Sequence, residues 1–188
     1  NPELVINFYN ERRKQLLEVR PNDGHLGLAE LEADFNVTVV TQNIDNLHER
    51  AGSRRIIHLH GELTKVCSSR DPYNPHYIKE LKPDEYEVKF GDKAGDGTQL
   101  RPFIVWFGEP VPEIETAVDY VEKADIFVII GTSMNVYPAA GLLNYVPRDA
   151  EVYLIDPKPV DVHSMRQIHV IQKGASEGVQ ELRSLLKP

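Results

Sequence analysis

A chain of 188 residues with 41% hydrophobic content can bury one substantial core and a small appended module, but not two full-size domains. A formal net charge of −8 with no Lys/Arg-rich stripe excludes phosphate-backbone binding, so nucleic acid is not an expected partner. No apolar run approaches membrane-spanning length, and the single cysteine, Cys67, excludes an internal disulfide and suits a reducing, cytoplasmic location.

From Pro2 to Val19 the residues Leu4, Val5, Phe8, Leu16 and Leu17 alternate with charge in a helical rhythm. Pro21-Asn22-Asp23-Gly24 reads as a turn. Leu26, Leu28, Leu31 and Phe35 predict a second helix running into a strand at 37–41. Short apolar runs predict further strands at 56–57, 103–106, 126–130, 152–155 and 168–171, and several lack alternation, as two-sided burial in a parallel sheet requires. Helical patterns at 114–124, 138–145 and 177–186 separate the later strands. The class is therefore α/β with a doubly wound parallel sheet, formed by residues 1–63 and 100–188. Residues 64–99, rich in Lys, Asp, Gly and Pro, read as a small inserted module with a mobile loop at 91–97.

Four polar clusters follow apolar runs: Gln42-Asn43-Ile44-Asp45, Phe107-Gly108-Glu109, Gly131-Thr132-Ser133 and Asp156-Pro157-Lys158. On parallel strands these would line one rim, where such sheets bind ligands, and would surround one elongated molecule. Gly-Thr-Ser by itself is equally a turn with a helix cap.

His58 and His60, two apart on a short strand pattern ended by Gly61, share one face. An imidazole at a strand end suits general-base work near neutral pH, and equally a hydrogen-bonded structural role. A metal site of His58, His60, Cys67 and His76 has no standard zinc spacing. Tyr9 and Arg12, three apart on the first helix, could hold a carboxylate between phenol and guanidinium; equally, Arg12, Arg13 and Lys14 could form an exposed charged face.

Taken together, Thr41-Gln42-Asn43-Ile44-Asp45, His60-Gly61, Val105-Trp106-Phe107-Gly108-Glu109 and Gly131-Thr132-Ser133 followed by Val136-Tyr137-Pro138-Ala139-Ala140 resemble a sirtuin in order and spacing over nearly the whole chain. Pro21-Asn22 with His25, and Asn46-Leu47-His48-Glu49-Arg50-Ala51-Gly52, are similar to bacterial NAD-dependent protein deacylases. Phe8-Tyr9-Asn10-Glu11-Arg12-Arg13 resembles the Tyr-x-x-Arg signature of class III members, which remove succinyl and malonyl groups. The resemblance implies a Rossmann-like fold, NAD as co-substrate and acyl-lysine proteins or peptides as partners. It leaves the oligomeric state open.

The chemistry so implied is attack by the acyl-lysine carbonyl oxygen on the nicotinamide ribose, followed by transfer of the acyl group to a ribose hydroxyl. The products would be lysine, nicotinamide and O-acyl-ADP-ribose. His60 would be the general base, with Asn43 and Asp45 beside it. Gln42, Asn43, Asp45, Gly131, Thr132, Ser133, Asp156, Gly174 and Ala175 would bind the cofactor. Tyr9 and Arg12 would select the acyl group. Val105, Phe107, Gly108, Glu109, Asn135, Val136 and Tyr137 would hold the acyl-lysine peptide, with Val105 accepting the lysine Nε–H through its carbonyl.

Three departures accompany the likeness. The family's N-terminal βα unit, with its Gly-Ala-Gly loop, has no counterpart here, so the chain alone is expected to turn over NAD weakly or not at all. Cys67-Ser68-Ser69-Arg70 keeps one of the family's four zinc cysteines, so no zinc is expected, and Tyr73, Tyr77, Tyr86 and Phe90 are left to pack the small module. Ile155-Asp156-Pro157 stands where the family usually has asparagine. The competing reading is a non-catalytic ADP-ribose or acyl-lysine binding module, with a generic hydrolase using His60 as a further possibility.

Overall fold

Asn1 starts the first helix: its side chain accepts from the Leu4 amide, and Pro2 occupies the first turn, where its missing N–H costs nothing. The helix, α1, runs Pro2–Glu18 and stops as Val19 turns extended ahead of Pro21. Asn22 then caps α2 (Asp23–Leu31), accepting from the Gly24 and His25 amides at 2.9 and 3.2 Å. The turn read at 21–24 is thus the first turn of a helix. The computed structural model describes residues 1–131, 139–159 and 167–186.

These residues fall into two units. One comprises Asn1–Arg20, Thr41–Asn46 and His58–Val111; the other comprises Pro21–Val40, Leu47–Ile57 and the chain from Pro112 onward. This division differs from the 64–99 boundaries read from composition. The reason is an eight-residue strand, β3 (Gly61–Ser68), which starts before the insertion and pairs antiparallel with β5 (Leu100–Ile104) after it. The short β4 (Lys79–Glu80) covers the other edge of β3.

The predicted strand at 103–106 is therefore not a member of the parallel sheet. It is displaced to β5, and Phe107, Gly108 and Glu109 follow an antiparallel strand. Arg13, read as part of an exposed face, is buried: its Nε–H donates to the Leu63 carbonyl at 2.8 Å, tying α1 to β3. The apolar cluster here is small, Ile6, Val66 and Val88, while Phe90 faces solvent.

Polar contacts do much of the rest. The fully buried Ser68 hydroxyl donates to Asp96 at 2.6 Å, lies 3.0 Å from the Thr98 hydroxyl, and accepts from the Arg70 and Asp71 amides at 3.0 Å. The loop at 91–97 is laced by Ala94 N–H to the Thr98 carbonyl and Gly91 N–H to the Gln99 side chain. Cys67 is buried with its sulfur 3.7 Å from the Pro102 carbonyl oxygen, and burial pushes its thiol up to about 11. A lone thiol so placed does not fit a four-thiolate metal centre.

The second unit carries the parallel sheet. Strands β6 (Ile126–Ile130), β7 (Glu151–Ile155) and β8 (His169–Ile171) pair in parallel in that order, with α4 (Ile114–Val121) before β6 and α5 (Ala175–Leu186) after β8. Leu31, Tyr153, Ile155, Ile171, Val179 and Leu182 form its core. Close packing explains two glycines. A Cβ at Gly178 would lie 2.2 Å from Ile155 Cγ2, and one at Gly27 would lie 2.6 Å from Val179 Cγ1, so only a bare backbone lets α5 meet β7 and α2.

The predicted helix at 138–145 is a 3-10 helix over Ala139–Tyr145. A two-stranded sheet of β1 (Val39–Thr41) and β2 (Ile56–His58) stands apart in pairing, and a five-residue helix, α3 (Leu47–Ala51), connects its strands. Val39 N–H donates to Arg55 and Leu59 N–H to Thr41, the pattern of parallel strands. Among the described residues no helix is long and apolar enough to cross a membrane.

Candidate active site

His60 lies in the turn between β2 and β3, two residues past the end of β2, and Gly61, read from sequence as the end of that strand, opens β3 instead. Ile57 and Leu59 are buried while His58 and His60 are partly exposed, so the two imidazoles do share a side. His60 Nδ1 is 3.1 Å from the Gln42 carbonyl oxygen, and His58 Nδ1 is 3.3 Å from that of Asn43. A carbonyl oxygen only accepts, so His60 Nδ1 must carry the proton. In the neutral tautomer with that proton, Nε2 presents its lone pair, the form a general base needs.

The backbone around this ring is held on both sides. Gly61 takes φ +81, and a Cβ there would lie 2.1 Å from the Phe103 carbonyl oxygen, which confines the position to glycine. The His60 carbonyl accepts from Val105 N–H at 2.9 Å. Among the described residues nothing donates to the Val105 carbonyl. The Gln42–Asp45 segment is shaped by Thr41, whose hydroxyl accepts from the Asn43 amide at 3.0 Å, and by the Ile44 carbonyl, which accepts from Leu63 at 2.7 Å. Gln42, Asn43, Asp45, His60 and Val105 thus belong to one unit. Their amide, carboxylate and imidazole groups fit a ribose and a carboxamide.

Tyr9 and Arg12 belong to the same unit. Trp106 Nε1–H donates to the Tyr9 hydroxyl at 2.9 Å; the Arg12 guanidinium sits 5.0 Å over the Phe8 ring and donates to Gln15 at 2.9 Å. Phe107 is fully exposed, and Gly108 takes φ +88 in the turn after it. The Glu109 carboxylate is committed inside the unit: it takes both Arg101 guanidinium nitrogens, at 2.6 and 2.9 Å, and the Trp106 amide at 2.9 Å. Arg101 holds that carboxyl below the usual carboxylate range.

In the second unit Gly131, Asp156 and Gly174 follow β6, β7 and β8, and Ala175 opens α5. The parallel register, Ile130 opposite Ile155 and Ile155 opposite Ile171, brings these positions to one rim. Gly131 has φ +58, and Asp156 accepts from the Lys158 amide at 2.8 Å. Thr132, Ser133, Asn135, Val136 and Tyr137 lie outside the described residues. His58, His60, Cys67 and His76 do not converge on a common metal position among the described residues.

Arg101 and Trp106 escaped the sequence reading as site residues. Arg101 joins Glu109 across eight positions and stacks 3.6 Å over the Trp106 ring, and no local periodicity announces such a contact.

The model of the Sir2 family matches residues 1–138. The chain is 84% identical over all its 188 residues to an NAD-dependent protein deacylase of Bacteroides thetaiotaomicron, covering 80% of that protein. It is 49% identical over 182 residues to one of Helicobacter pylori, spanning 97% of this chain and 77% of the relative. Among solved structures, a Sir2 homologue in complex with NAD superposes with TM-score 0.82 at 34% identity, over 100% of this chain and 74% of the other. Sir2Tm bound to a propionylated peptide superposes with TM-score 0.78 at 27% identity, over 98% and 78%. Motifs, topology and whole-length identity agree, and the chain belongs to the Sir2 family.

Proposed function

We propose that the chain removes acidic acyl groups, succinyl and malonyl, from protein lysines, and acetyl groups as well. As a member of the Sir2 family it is an NAD-dependent protein deacylase. Bound NAD supplies the ribose that accepts the acyl group. In the first unit Gln42, Asn43 and Asp45 would bind a ribose and a carboxamide; in the second, taken by itself, Gly131, Asp156, Gly174 and Ala175 would bind an adenosine group, a role the sequence resemblance extends to Thr132 and Ser133.

His60 donates from Nδ1 to the Gln42 carbonyl and takes a ribose proton on Nε2. The Val105 carbonyl, whose residue is locked to His60 through the Val105 amide, accepts the acyl-lysine Nε–H and sets that nitrogen relative to the base. Phe107, Gly108 and the backbone of Glu109 would flank the peptide; the Glu109 side chain is occupied by Arg101.

The observation that carries the acidic-acyl reading is the state of the Tyr9 hydroxyl. It accepts from the Trp106 indole, so its own proton is left to donate to a carboxylate, and Arg12, one helical turn on, adds a guanidinium. Parallel assays of succinyl- and acetyl-lysine peptides on the whole protein test this. Arg12→Met should lower the succinyl-to-acetyl ratio of kcat/KM by at least about tenfold. Equal losses on both peptides would reduce Arg12 to a solvated helix residue.

A further inference from the structure

Trp106 is fixed from three directions. Its ring face carries the Arg101 guanidinium at 3.6 Å, its backbone amide donates to Glu109 Oε2 at 2.9 Å, and its indole N–H donates to Tyr9 Oη at 2.9 Å. Arg101 is held in turn by two bonds to Glu109 and one to the Ile104 carbonyl at 2.7 Å, with its side chain only 11% exposed. Stacking with a guanidinium and a two-pronged ion pair leave the indole little freedom.

A phenol can face a carboxylate in two ways. If its proton points to the carboxylate the contact is attractive; if a lone pair does, it is repulsive. An unengaged hydroxyl rotates between the two. Here the indole, a donor with no acceptor capacity, occupies a lone pair of Tyr9 and turns the hydroxyl proton elsewhere. We propose that Trp106, braced by the Arg101–Glu109 pair, is a positioning residue that sets the polarity of the Tyr9 hydroxyl and thereby gives the enzyme its preference for acyl groups ending in a carboxylate. This rests on the reading of Tyr9 and Arg12 as acyl selectors. Trp106 touches neither acyl group nor cofactor in this role; it acts through Tyr9.

The test uses the whole protein with succinyl- and acetyl-lysine peptides. Trp106→Phe keeps an aromatic face for Arg101 and deletes the N–H together with part of the ring bulk. KM for the succinyl peptide should rise roughly fivefold, the worth of one neutral hydrogen bond, with kcat and both acetyl parameters within about twofold. Tyr9→Phe should raise the same KM, and the double variant should lose no more than the worse single one, because both changes break one coupled unit. Trp106 is the only tryptophan of the 188 residues, and its indole N–H resonance should shift in Tyr9→Phe.

Multiplying losses in the double variant, or equal losses on the two peptides, would make Trp106 a packing residue and overturn the proposal. If Trp106→Phe does not fold, Arg101→Lys loosens the brace while keeping the charge; it should lower the succinyl-to-acetyl ratio, and an unchanged ratio overturns the proposal. Arg12→Met separates the two levels. If its ratio collapses while that of Trp106→Phe does not, the proposal alone fails; if its ratio stays unchanged, the acidic-acyl reading fails and takes the proposal with it.

Discussion

The two units of this chain are stabilised by different physics. The second is an apolar sandwich: α2 and α5 press Leu31, Val179 and Leu182 onto Tyr153, Ile155 and Ile171, and glycines at 27 and 178 let backbones approach. The first has a small apolar cluster and relies on long-range polar ties: Arg13 to Leu63, Ser68 to Asp96 and Thr98, Arg101 to Glu109. The base candidate and the acyl selectors all sit in the polar unit. Directional bonds hold a side chain at a stated angle, which chemistry needs, whereas apolar contacts mostly specify volume.

Breaking the apolar side should have the larger effect. Leu182 is fully buried, and Leu182→Ala removes three carbons from a close-packed site; it should lower the stability of the second unit by roughly 2–5 kcal/mol in denaturant unfolding. Arg13→Met should cost less. It leaves the Leu63 carbonyl without its partner but also relieves a buried cation, whose pKa burial lowers to about 10 and whose Nη2 finds no acceptor among the described residues. The two effects oppose each other, and the net loss should be roughly 1–2 kcal/mol by the same method. A loss equal to that of Leu182→Ala would erase the contrast between the units.

The smallest effect is the most specific. The hydroxyls of Ser68 and Thr98 hold the Asp96 carboxyl down to about 2. An unfolded aspartate titrates near ~3.9, so this carboxylate contributes fully above about pH 4, and its contribution fades as pH falls toward 2. The gap in urea midpoint between wild type and Asp96→Asn should therefore be widest above pH 4 and close toward pH 2. A gap independent of pH would show that the Ser68 knot does not depend on the charge.

The same contrast explains what could be read without coordinates. β6 and β7 read as unbroken apolar runs, as burial on both faces requires, and α5 as a helical rhythm, because burial against one face imposes periodicity. β3 did not: Lys65, Val66, Cys67 and Ser68 interrupt alternation, and three of these four are buried. Composition therefore placed a boundary at 64 in the middle of a strand. Cys67 stands out in sequence as a lone thiol, but the knot beside it, Ser68 with Asp96 and Thr98, spans 30 residues and is ordinary loop chemistry in sequence. Motifs single out His60 and Tyr9 as candidates; their contacts with the Gln42 carbonyl and the Trp106 indole require the fold to bring distant groups together. Arg13, one residue from Arg12, shows the limit of helix spacing alone: a single step around α1 separates solvent from the interior.

The proposed reaction depends on His60 taking a proton on Nε2. The direct measurement is deacylated peptide formed by the whole protein from NAD and succinyl-lysine peptide, wild type against His60→Ala. Loss of at least about a hundredfold in kcat with the fold intact is the expected result for removal of a general base; turnover that survives unchanged would contradict the account.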